Sequence, residues 1–178
     1  GKILAQNCGV CMEDRYPTAY NLGSGRVHWD GWINVDTADG ADLCADLHSL
    51  PVPSDSADAV AAIHVLEHFQ IFDAPALISE WRRILKPGGK MIIEVPSLDK
   101  IINYIVWAFA HKEPLADFMT LHALYGDPRY RDPLMMHRWA YYAEVLRSLL
   151  EFVGMREIKE EPPRYHYPFR DMRFECLK

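Results

Sequence analysis

The stretch that decides the fold is NLGSGRVHWDGWINVD, residues 21–36. It opens with a glycine turn, Gly23-Ser24-Gly25, at the end of a short apolar run, which is typical of a strand that turns beneath a nucleotide-like ligand. A dinucleotide-binding fold would continue with a helix, a second strand and an acidic residue about 20 residues later. Here a strand-like segment follows at residues 32–35, and Asp36 comes eleven residues after Gly25. The stretch predicts either a nucleotide site that lacks its first helix or an ordinary turn that precedes an aspartate.

Composition and charge exclude several classes of protein. The chain has 178 residues, 49% of them hydrophobic, which suits one domain with a sizeable core. Its formal net charge is −6 and it has no run of Lys or Arg, so a nucleic-acid partner is not expected. The longest apolar stretch, residues 101–110, is shorter than the roughly 20 residues of a membrane span. No secretory signal is recognisable. We therefore expect a cytoplasmic protein with no nucleic-acid and no membrane partner.

The four cysteines are Cys8, Cys11, Cys44 and Cys176. Cys8 and Cys11 have the spacing of half a zinc site or of a redox pair, but no second Cys-x-x-Cys or His pair follows them. A structural zinc ion needs four ligands, and no acidic cluster suggests another divalent ion. We expect reduced thiols, as in a cytosolic protein, and no metal site.

Apolar patterns and chain breakers alternate between strands and helices along the sequence. Residues 86–89, Lys-Pro-Gly-Gly, end the first helix, because Pro cannot continue it and Gly accepts a left-handed exit. The alternation predicts an α/β fold with a mostly parallel sheet, whose ligands bind at the carboxyl ends of the strands. The predicted strands are 18–22, 32–35, 41–45, 57–65 and 91–95, and the predicted helices are 75–85, 99–112 and 142–153.

Polar residues or glycines follow each of the first four predicted strands. They are the turn at residues 23–25, Asp36, Asp46 and the segment 64–68. Glycines let a backbone approach a ligand closely, and a carboxylate accepts two hydrogen bonds from ribose hydroxyls. A second carboxylate can accept from an exocyclic amino group, with Leu47 beside the purine. The alternative is that each of these acids is a solvated loop residue.

Five segments in order, YNLGSG, GWINVD, ADLHSLP, ADAVAAIHVLEH and WRRILKPGGKMIIEVP, resemble the S-adenosylmethionine-dependent methyltransferases of the Rossmann-like class, especially the small type 11 group. The resemblance covers residues 19–97. It implies one methyltransferase domain over residues 1–178, with S-adenosylmethionine as cofactor. It also implies that the tail forms two closing strands that pair antiparallel at the edge of the sheet.

The resemblance also assigns the cofactor contacts. The glycine turn would hold the methionine part, Asp36 the ribose, and Asp46 with Leu47 the adenine, while His64 would lie beside the reacting methyl group. The cofactor-binding residues implied in this way are Asn21, Leu22, Gly23, Ser24, Gly25, Asp36, Thr37, Asp46, Leu47 and His64.

The same resemblance implies a reason why Asp36 follows Gly25 after only eleven residues. Several members of the group have a first crossover helix that is shortened to a loop between the glycine turn and a GWxNVD segment. Residues 26–31 would be that loop here, with Trp29 and Trp32 covering the apolar surface that a helix would otherwise cover. Asp36 is therefore expected to be a ligand residue.

Three histidines are candidates for the catalytic base. His64 and His68 are nearest to the expected methyl position, and His137 is a third candidate that a folded-back segment would bring there. A base is needed only when the acceptor is a hydroxyl or a protonated amine. The alternative is that each histidine is structural.

Residues 99–140 separate the fifth predicted strand from the last predicted helix by about 40 residues, which is longer than an ordinary connection. In related enzymes this position carries the lid that binds the acceptor, and the alternatives are a contact in a homodimer or a satellite pair of helices. The segment at residues 137–155 resembles that of members encoded with surface-polysaccharide enzymes. A sugar or another small hydroxyl or amino compound is therefore the expected acceptor.

Two other functions compete with methyl transfer. One is a non-catalytic module that binds S-adenosylmethionine or a nucleotide, since no residue is marked as a certain catalyst. The other is an NAD-dependent dehydrogenase, but the third glycine of that fingerprint is missing and Asp36 comes too early.

Overall fold

Within residues 14–178, which are those that the computed structural model describes, seven strands form one sheet in the order β3-β2-β1-β4-β5-β7-β6. The first five strands are parallel, whereas β7 runs antiparallel to both β5 and β6. This confirms the mostly parallel sheet and its antiparallel edge. The strands are β1 (Ala19–Leu22), β2 (Ile33–Asp36), β3 (Leu43–Cys44), β4 (Ala57–Ile63), β5 (Leu85–Pro96), β6 (Arg156–Glu161) and β7 (Asp171–Leu177).

The strand order reverses at β1, where the site is expected. Leu22, the last residue of β1, pairs with Val35 of β2 on one side and with Ala62 of β4 on the other. The chain thus continues from β1 to β2 on one side of β1 and later returns to form β4 on the other side. Such a switch opens a crevice beyond the carboxyl ends of the strands, and open α/β sheets bind ligands there.

Four α-helices accompany the sheet in the described part of the chain: α1 (Ala74–Ile84), α2 (Leu98–His111), α3 (Leu121–Tyr125) and α4 (Ala143–Phe152). The three predicted helices are confirmed, each with ends shifted by one residue. The apolar stripe of α1 packs on the sheet with Leu77 and Trp81 fully buried, whereas α2 buries only Ile101 and Ala108. Among residues 14–178, none of these helices has the length and apolar character needed to cross a membrane.

Residues 86–89 form a bulge rather than a turn outside the sheet. Leu85 already pairs with Ala57, and the next pair in the ladder is Lys90 with Ala59. Gly88 has a φ of 78°, in the left-handed region that favours glycine, and its N–H donates to the carbonyl of Lys178. The segment is therefore structural, as the resemblance implies, but it belongs to β5.

No helix lies between β1 and β2, which confirms the shortened crossover. Trp29 and Trp32 are 6% and 5% exposed and meet edge to face with ring centroids 5.1 Å apart. They pack in one cluster with small residues of the sheet, Ala59 and Ala61 among them. The two indoles thus cover the face of the sheet that the missing helix would cover.

A buried amide holds this loop in place. The Asn34 Oδ1 accepts from the Trp29 N–H at 2.8 Å and from the Asn21 Nδ2 at 3.0 Å. The Asn34 Nδ2 donates to the Asp42 carboxylate at 2.7 Å. Because buried amide groups need partners, this network fixes the path of the loop and the end of β2 together.

Cys44 and Cys176 are free thiols, the first exposed and the second buried. Burial raises the pKa of the Cys176 thiol to about 12, so this group is unreactive. Cys8 and Cys11 lie outside the described residues, and the expectations drawn from them, including the cytoplasmic location, stay predictions.

Candidate functional site

The glycine turn is tightly packed on one side and open on the other. Gly23 has a φ of 63°, and a Cβ there would lie 2.6 Å from Cγ2 of Val65, in the loop after β4. Gly25 has a φ of 52°, but a Cβ at this position would meet no atom within 4 Å. The Ser24 N–H donates to the carbonyl of Val35 at 3.0 Å, which fastens the turn to β2. The turn therefore needs glycine at position 23 for packing and leaves free space beside position 25.

The Asp36 carboxylate faces this turn. Its Oδ2 accepts from the Gly25 N–H at 2.8 Å, and its Oδ1 accepts from the Ala38 N–H at 2.9 Å. The two residues predicted to share a cofactor are thus in direct contact. An ionised carboxylate has about four acceptor positions, so two remain for hydroxyl groups of a ligand. Thr37, the next predicted contact, is exposed beside it.

Asp46 and Leu47 point in different directions. The Asp46 side chain is 69% exposed, and its Oδ1 accepts from the backbone N–H of His48 at 2.9 Å. That bond and the contact with the His48 ring lower the pKa of Asp46. The Leu47 side chain is 6% exposed and packs in the core, while its carbonyl accepts from the Trp81 indole at 3.2 Å. Leu47 therefore anchors the loop, and Asp46 is the residue of the pair that reaches solvent.

Three more predicted contacts are largely buried. Leu22 is fully buried, and the Asn21 amide is engaged with the loop before β2, so both can meet a ligand through the backbone alone. The Ser24 Oγ is buried and has no hydrogen-bond partner among the described residues. An unpaired hydroxyl, open space at Gly25 and free lone pairs on Asp36 together fit a ligand that carries polar groups, as S-adenosylmethionine does.

His64 lies at the end of β4 in a buried ion cluster. It has a φ of 54°, its side chain is 11% exposed, and its Nδ1 lies 3.0 Å from the Glu67 Oε1. Its Nε2 lies 3.2 Å from the Asp171 Oδ2, in an ion pair rather than an aligned hydrogen bond. Burial lowers the pKa of His64, but the two carboxylates outweigh it and raise the pKa to about 9. His64 is therefore protonated at neutral pH and does not act as a base while these contacts persist.

The cluster continues across the sheet through charged residues that the sequence reasoning missed. Glu94 on β5 lies 3.4 Å from Arg173 on β7, and both side chains are fully buried. Asp171 pairs with Arg170 at 2.6 Å. The available signal was one charged residue, Glu94, in the apolar pattern MIIEVP and several charged residues among the apolar ones of RDMRFECL. Buried charges are rare unless they are paired, so both strands indicated a buried polar site.

His68 and His137 are brought together from distant parts of the chain. Their ring centroids lie 4.9 Å apart, edge to face. The Nδ1 of His68 lies 3.2 Å from the carbonyl of Met136, and that of His137 lies 2.8 Å from the carbonyl of Ala123. Burial lowers the pKa of His137, so its imidazole is neutral at neutral pH. All three candidate histidines thus lie at the same edge of the sheet, with Glu67 between them.

The backbone of the segment at residues 99–140 makes hydrogen bonds to this edge. The N–H groups of Arg138 and Trp139 both donate to the carbonyl of Glu67, at 2.7 and 3.3 Å. Its larger aromatic side chains stay partly or mostly exposed: Trp107, Phe109, Tyr125, Tyr130 and Trp139. The segment therefore contacts the candidate site and also presents aromatic surface to solvent.

Part of this chain is similar in sequence to known proteins. Residues 21–93 match the family described as "Methyltransferase domain", type 11. An uncharacterised protein of Methanocaldococcus jannaschii is 40% identical over 80 residues, which are 45% of this chain and 31% of that protein. A probable S-adenosylmethionine-dependent methyltransferase of Mycolicibacterium smegmatis is 33% identical over 75 residues, 42% of this chain and 26% of that protein. The chain thus matches less than a third of the length of either relative.

Among solved structures, an S-adenosylmethionine-dependent methyltransferase of Methanosarcina mazei superimposes with a TM-score of 0.62. The alignment covers 90% of this chain and 92% of that one, at 14% identity. At such identity the likeness shows the fold, and the fold extends well beyond the matched domain. Residues 21–93 thus match a methyltransferase domain, and the chain as a whole has the fold of an S-adenosylmethionine-dependent methyltransferase.

Proposed function

We propose that this chain transfers the methyl group of S-adenosylmethionine to a small-molecule acceptor, a sugar or another hydroxyl or amino compound. The observation that carries the proposal is the contact between Gly25 and Asp36 at the switch point of the sheet, with a hydrogen bond of 2.8 Å. This contact joins the two elements that the family uses for its cofactor. It lies within the matched domain.

The resemblance implies which residues would hold each part of the cofactor, and their exposure is compatible with those roles. The backbone of Gly23 to Gly25 takes the methionine part, because space is free beside Gly25. Asp36 accepts from the ribose hydroxyls, and Asp46 accepts from the adenine amino group. When bound, S-adenosylmethionine would supply an electrophilic methyl group, whose in-line transfer to the acceptor breaks the methyl–sulfur bond and leaves S-adenosylhomocysteine.

Positioning is then the main task of the protein. Holding two reactants at attack distance supplies about 7–11 kcal/mol of a barrier. Among the candidate bases, His64 is held protonated by Glu67 and Asp171, so it orients its neighbours. The Nδ1 of His137 faces a carbonyl and must donate to it, so the lone pair of His137 is on Nε2. An electrophile, whether a proton or a cation, binds at that nitrogen.

The acceptor is assigned to the segment at residues 99–140. Flat aromatic surfaces with polar edges suit a ring-shaped acceptor, and Tyr125, Tyr130 and Trp139 offer such surfaces. Gly126 has a φ of 87°, and a Cβ there would lie 2.3 Å from the carbonyl of Met135. This glycine therefore permits a close approach between two arms of the segment. The competing outcome is that the same aromatic residues meet a second copy of the chain.

Two measurements test the proposal. Calorimetry with S-adenosylmethionine, S-adenosylhomocysteine and NAD separates a methyltransferase site from a dehydrogenase site, and we expect the first two to bind and NAD to fail. A screen with a methyl-labelled donor and pooled metabolites then identifies the acceptor by mass. Binding of the donor without label transfer to any sugar, hydroxyl or amino compound would support the non-catalytic module instead.

A further inference from the structure

A second candidate site, beside the candidate cofactor site, is formed by three side chains from two distant parts of the chain: Glu67, His68 and His137. Each offers one ligand atom, and these atoms all lie within 4.8 Å of one another. The His137 Nε2 lies 4.0 Å from the Glu67 Oε1. Glu67 and His68 belong to the 3₁₀ turn Leu66–His68 after β4, whereas His137 belongs to the segment at residues 99–140. Only the fold brings the three together.

Both histidines are oriented as metal ligands usually are. The Nδ1 atoms of His68 and His137 face backbone carbonyls, of Met136 at 3.2 Å and of Ala123 at 2.8 Å. A ring nitrogen that faces a carbonyl carries the hydrogen, so each Nε2 carries the lone pair. A metal-bound histidine commonly donates its other N–H to a carbonyl or carboxylate in this way.

The carboxylate of Glu67, which lies between the two histidines, has one oxygen without a hydrogen-bond partner among the described residues. Glu67 is 1% exposed, and its Oε2 is buried without a hydrogen-bond partner among the described residues. The Tyr141 hydroxyl is likewise buried and has no hydrogen-bond partner among the described residues. Its burial and the charge of Glu67 both raise its pKa. Buried polar atoms without partners are unfavourable, and a bound cation would satisfy the carboxylate oxygen. The other oxygen, Oε1, already contacts His64, which would orient the ligand from outside.

We propose that Glu67, His68 and His137 bind a divalent first-row transition metal ion such as Zn²⁺. Two imidazoles and a carboxylate suit such ions, whereas Mg²⁺ and Ca²⁺ prefer oxygen ligands. Ligands at about 2.1 Å from a tetrahedral ion lie about 3.4 Å apart, so the side chains need to close by about 1 Å. Three protein ligands leave a position for water or for a substrate oxygen.

The neighbouring acidic cluster is different in kind. His64, Glu94 and Asp171 also place their ligand atoms within 4.8 Å of one another. There, however, Arg173 pairs with Glu94 and Arg170 pairs with Asp171. The positive charges of those guanidinium groups already balance the carboxylates, so a cation has little to gain at that position.

A metal ion bound by Glu67, His68 and His137 would connect the segment at residues 99–140 to the turn after β4. The backbone N–H groups of Arg138 and Trp139 already donate to the Glu67 carbonyl, so the ion would add a bond between the same two elements. The proposal does not rest on methyl transfer, because the three ligands can bind an ion whether or not the cofactor is present.

The test uses the full chain with Cys8→Ser, Cys11→Ser and Cys44→Ser, which leaves the buried Cys176 as its one thiol, so that exposed thiolates cannot bind the ion. After removal of metals with EDTA, calorimetry with ZnCl₂, MnCl₂ and MgCl₂ measures stoichiometry and affinity. We expect one Zn²⁺ per chain, a higher unfolding temperature with ZnCl₂, and much weaker binding of Mg²⁺. Glu67→Gln, His68→Ala and His137→Ala should each weaken zinc binding at least 100-fold, about the upper value for loss of a single supporting contact.

His122→Ala is the matched control, because His122 lies in α3 of the same segment and belongs to neither cluster. It should keep the zinc affinity. Circular dichroism checks that each variant is folded, and His68→Ala, at a partly exposed position, decides the matter if His137→Ala does not fold. Zinc binding that is absent from the parent chain, or unchanged in the folded ligand variants, would overturn the proposal.

Discussion

The backbone N–H of Gly25 donates a 2.8 Å hydrogen bond to the Asp36 carboxylate, so the turn after β1 and the end of β2 form one unit. This contact explains why an acidic residue follows the glycine turn so closely in sequence. Without a crossover helix, a short loop suffices to bring the carboxylate to the turn. Asp36 consequently has both a structural partner and free acceptor positions for a ligand.

Asp36→Ala should lower the affinity for S-adenosylmethionine by about 1.5–3 kcal/mol, the usual value for hydrogen bonds to a charged group. Calorimetry on the purified variant measures this loss. Asp39→Ala is the control, since Asp39 is exposed in the loop that directly follows Asp36. Equal affinities of the two variants would exclude Asp36 from the site.

Gly23→Val should destabilise the fold and abolish donor binding. The new Cβ would lie 2.6 Å from Cγ2 of Val65, and the positive φ adds about 1–2 kcal/mol for any branched residue. Thermal unfolding and calorimetry report the two effects. The double variant Gly23→Ala with Val65→Ala removes the clash and leaves the backbone cost, so it should recover part of the stability. No recovery would mean that the clash is not the cause.

Trp139→Ala and His137→Ala should leave donor affinity nearly intact and lower turnover. Trp139 is 43% exposed and its backbone N–H donates to the carbonyl of Glu67, so part of its side chain is open to contact with an acceptor. The check is a paired measurement of donor affinity and methyl-transfer rate on each variant, once an acceptor is known. A joint loss of affinity and thermal stability would instead identify the segment as core or as an interface between two chains.

The stability should fall in acid because of Asp171. Burial raises the pKa of this carboxyl, but His64 and Arg170 outweigh it and lower the pKa to about 2. A carboxyl whose pKa is lowered by folding stabilises the native state above its unfolded value, near 3.8, and loses that contribution as the pH falls towards 2. Urea unfolding between pH 2 and pH 6 should show this decline, on the order of 2 kcal/mol. Asp171→Asn should flatten the pH profile, and an equally steep profile in that variant would assign the effect to other carboxyls.

Trp29→Ala should destabilise the protein by about 3–5 kcal/mol, as is usual when a large buried aromatic residue is removed. Trp29 is 6% exposed, stacks on Tyr165 at 5.2 Å and meets Trp32 edge to face. Val27→Ala, at a position that is 64% exposed in the same loop, should change stability little. Urea unfolding compares the two. Equal small losses would show that the loop does not replace the missing helix.

The sequence alone determined the α/β alternation, the helix ends to within one residue and the short separation of Asp36 from the glycine turn along the chain. These features depend on local causes, because proline, glycine and apolar periodicity act over a few residues. The burial of Trp29 and Trp32 also has a local cause, because both residues lie in the short connection between β1 and β2.

The tertiary structure alone decided which distant charges meet. Glu94 faces Arg173 only through the antiparallel register of β5 and β7, and His68 meets His137 only because a long segment folds back over the turn after β4. The Leu47 side chain likewise lies in the core, and the Trp81 indole of α1 donates a hydrogen bond to the Leu47 carbonyl. Such contacts join residues far apart in the chain, and no local pattern encodes the register or the docking that creates them.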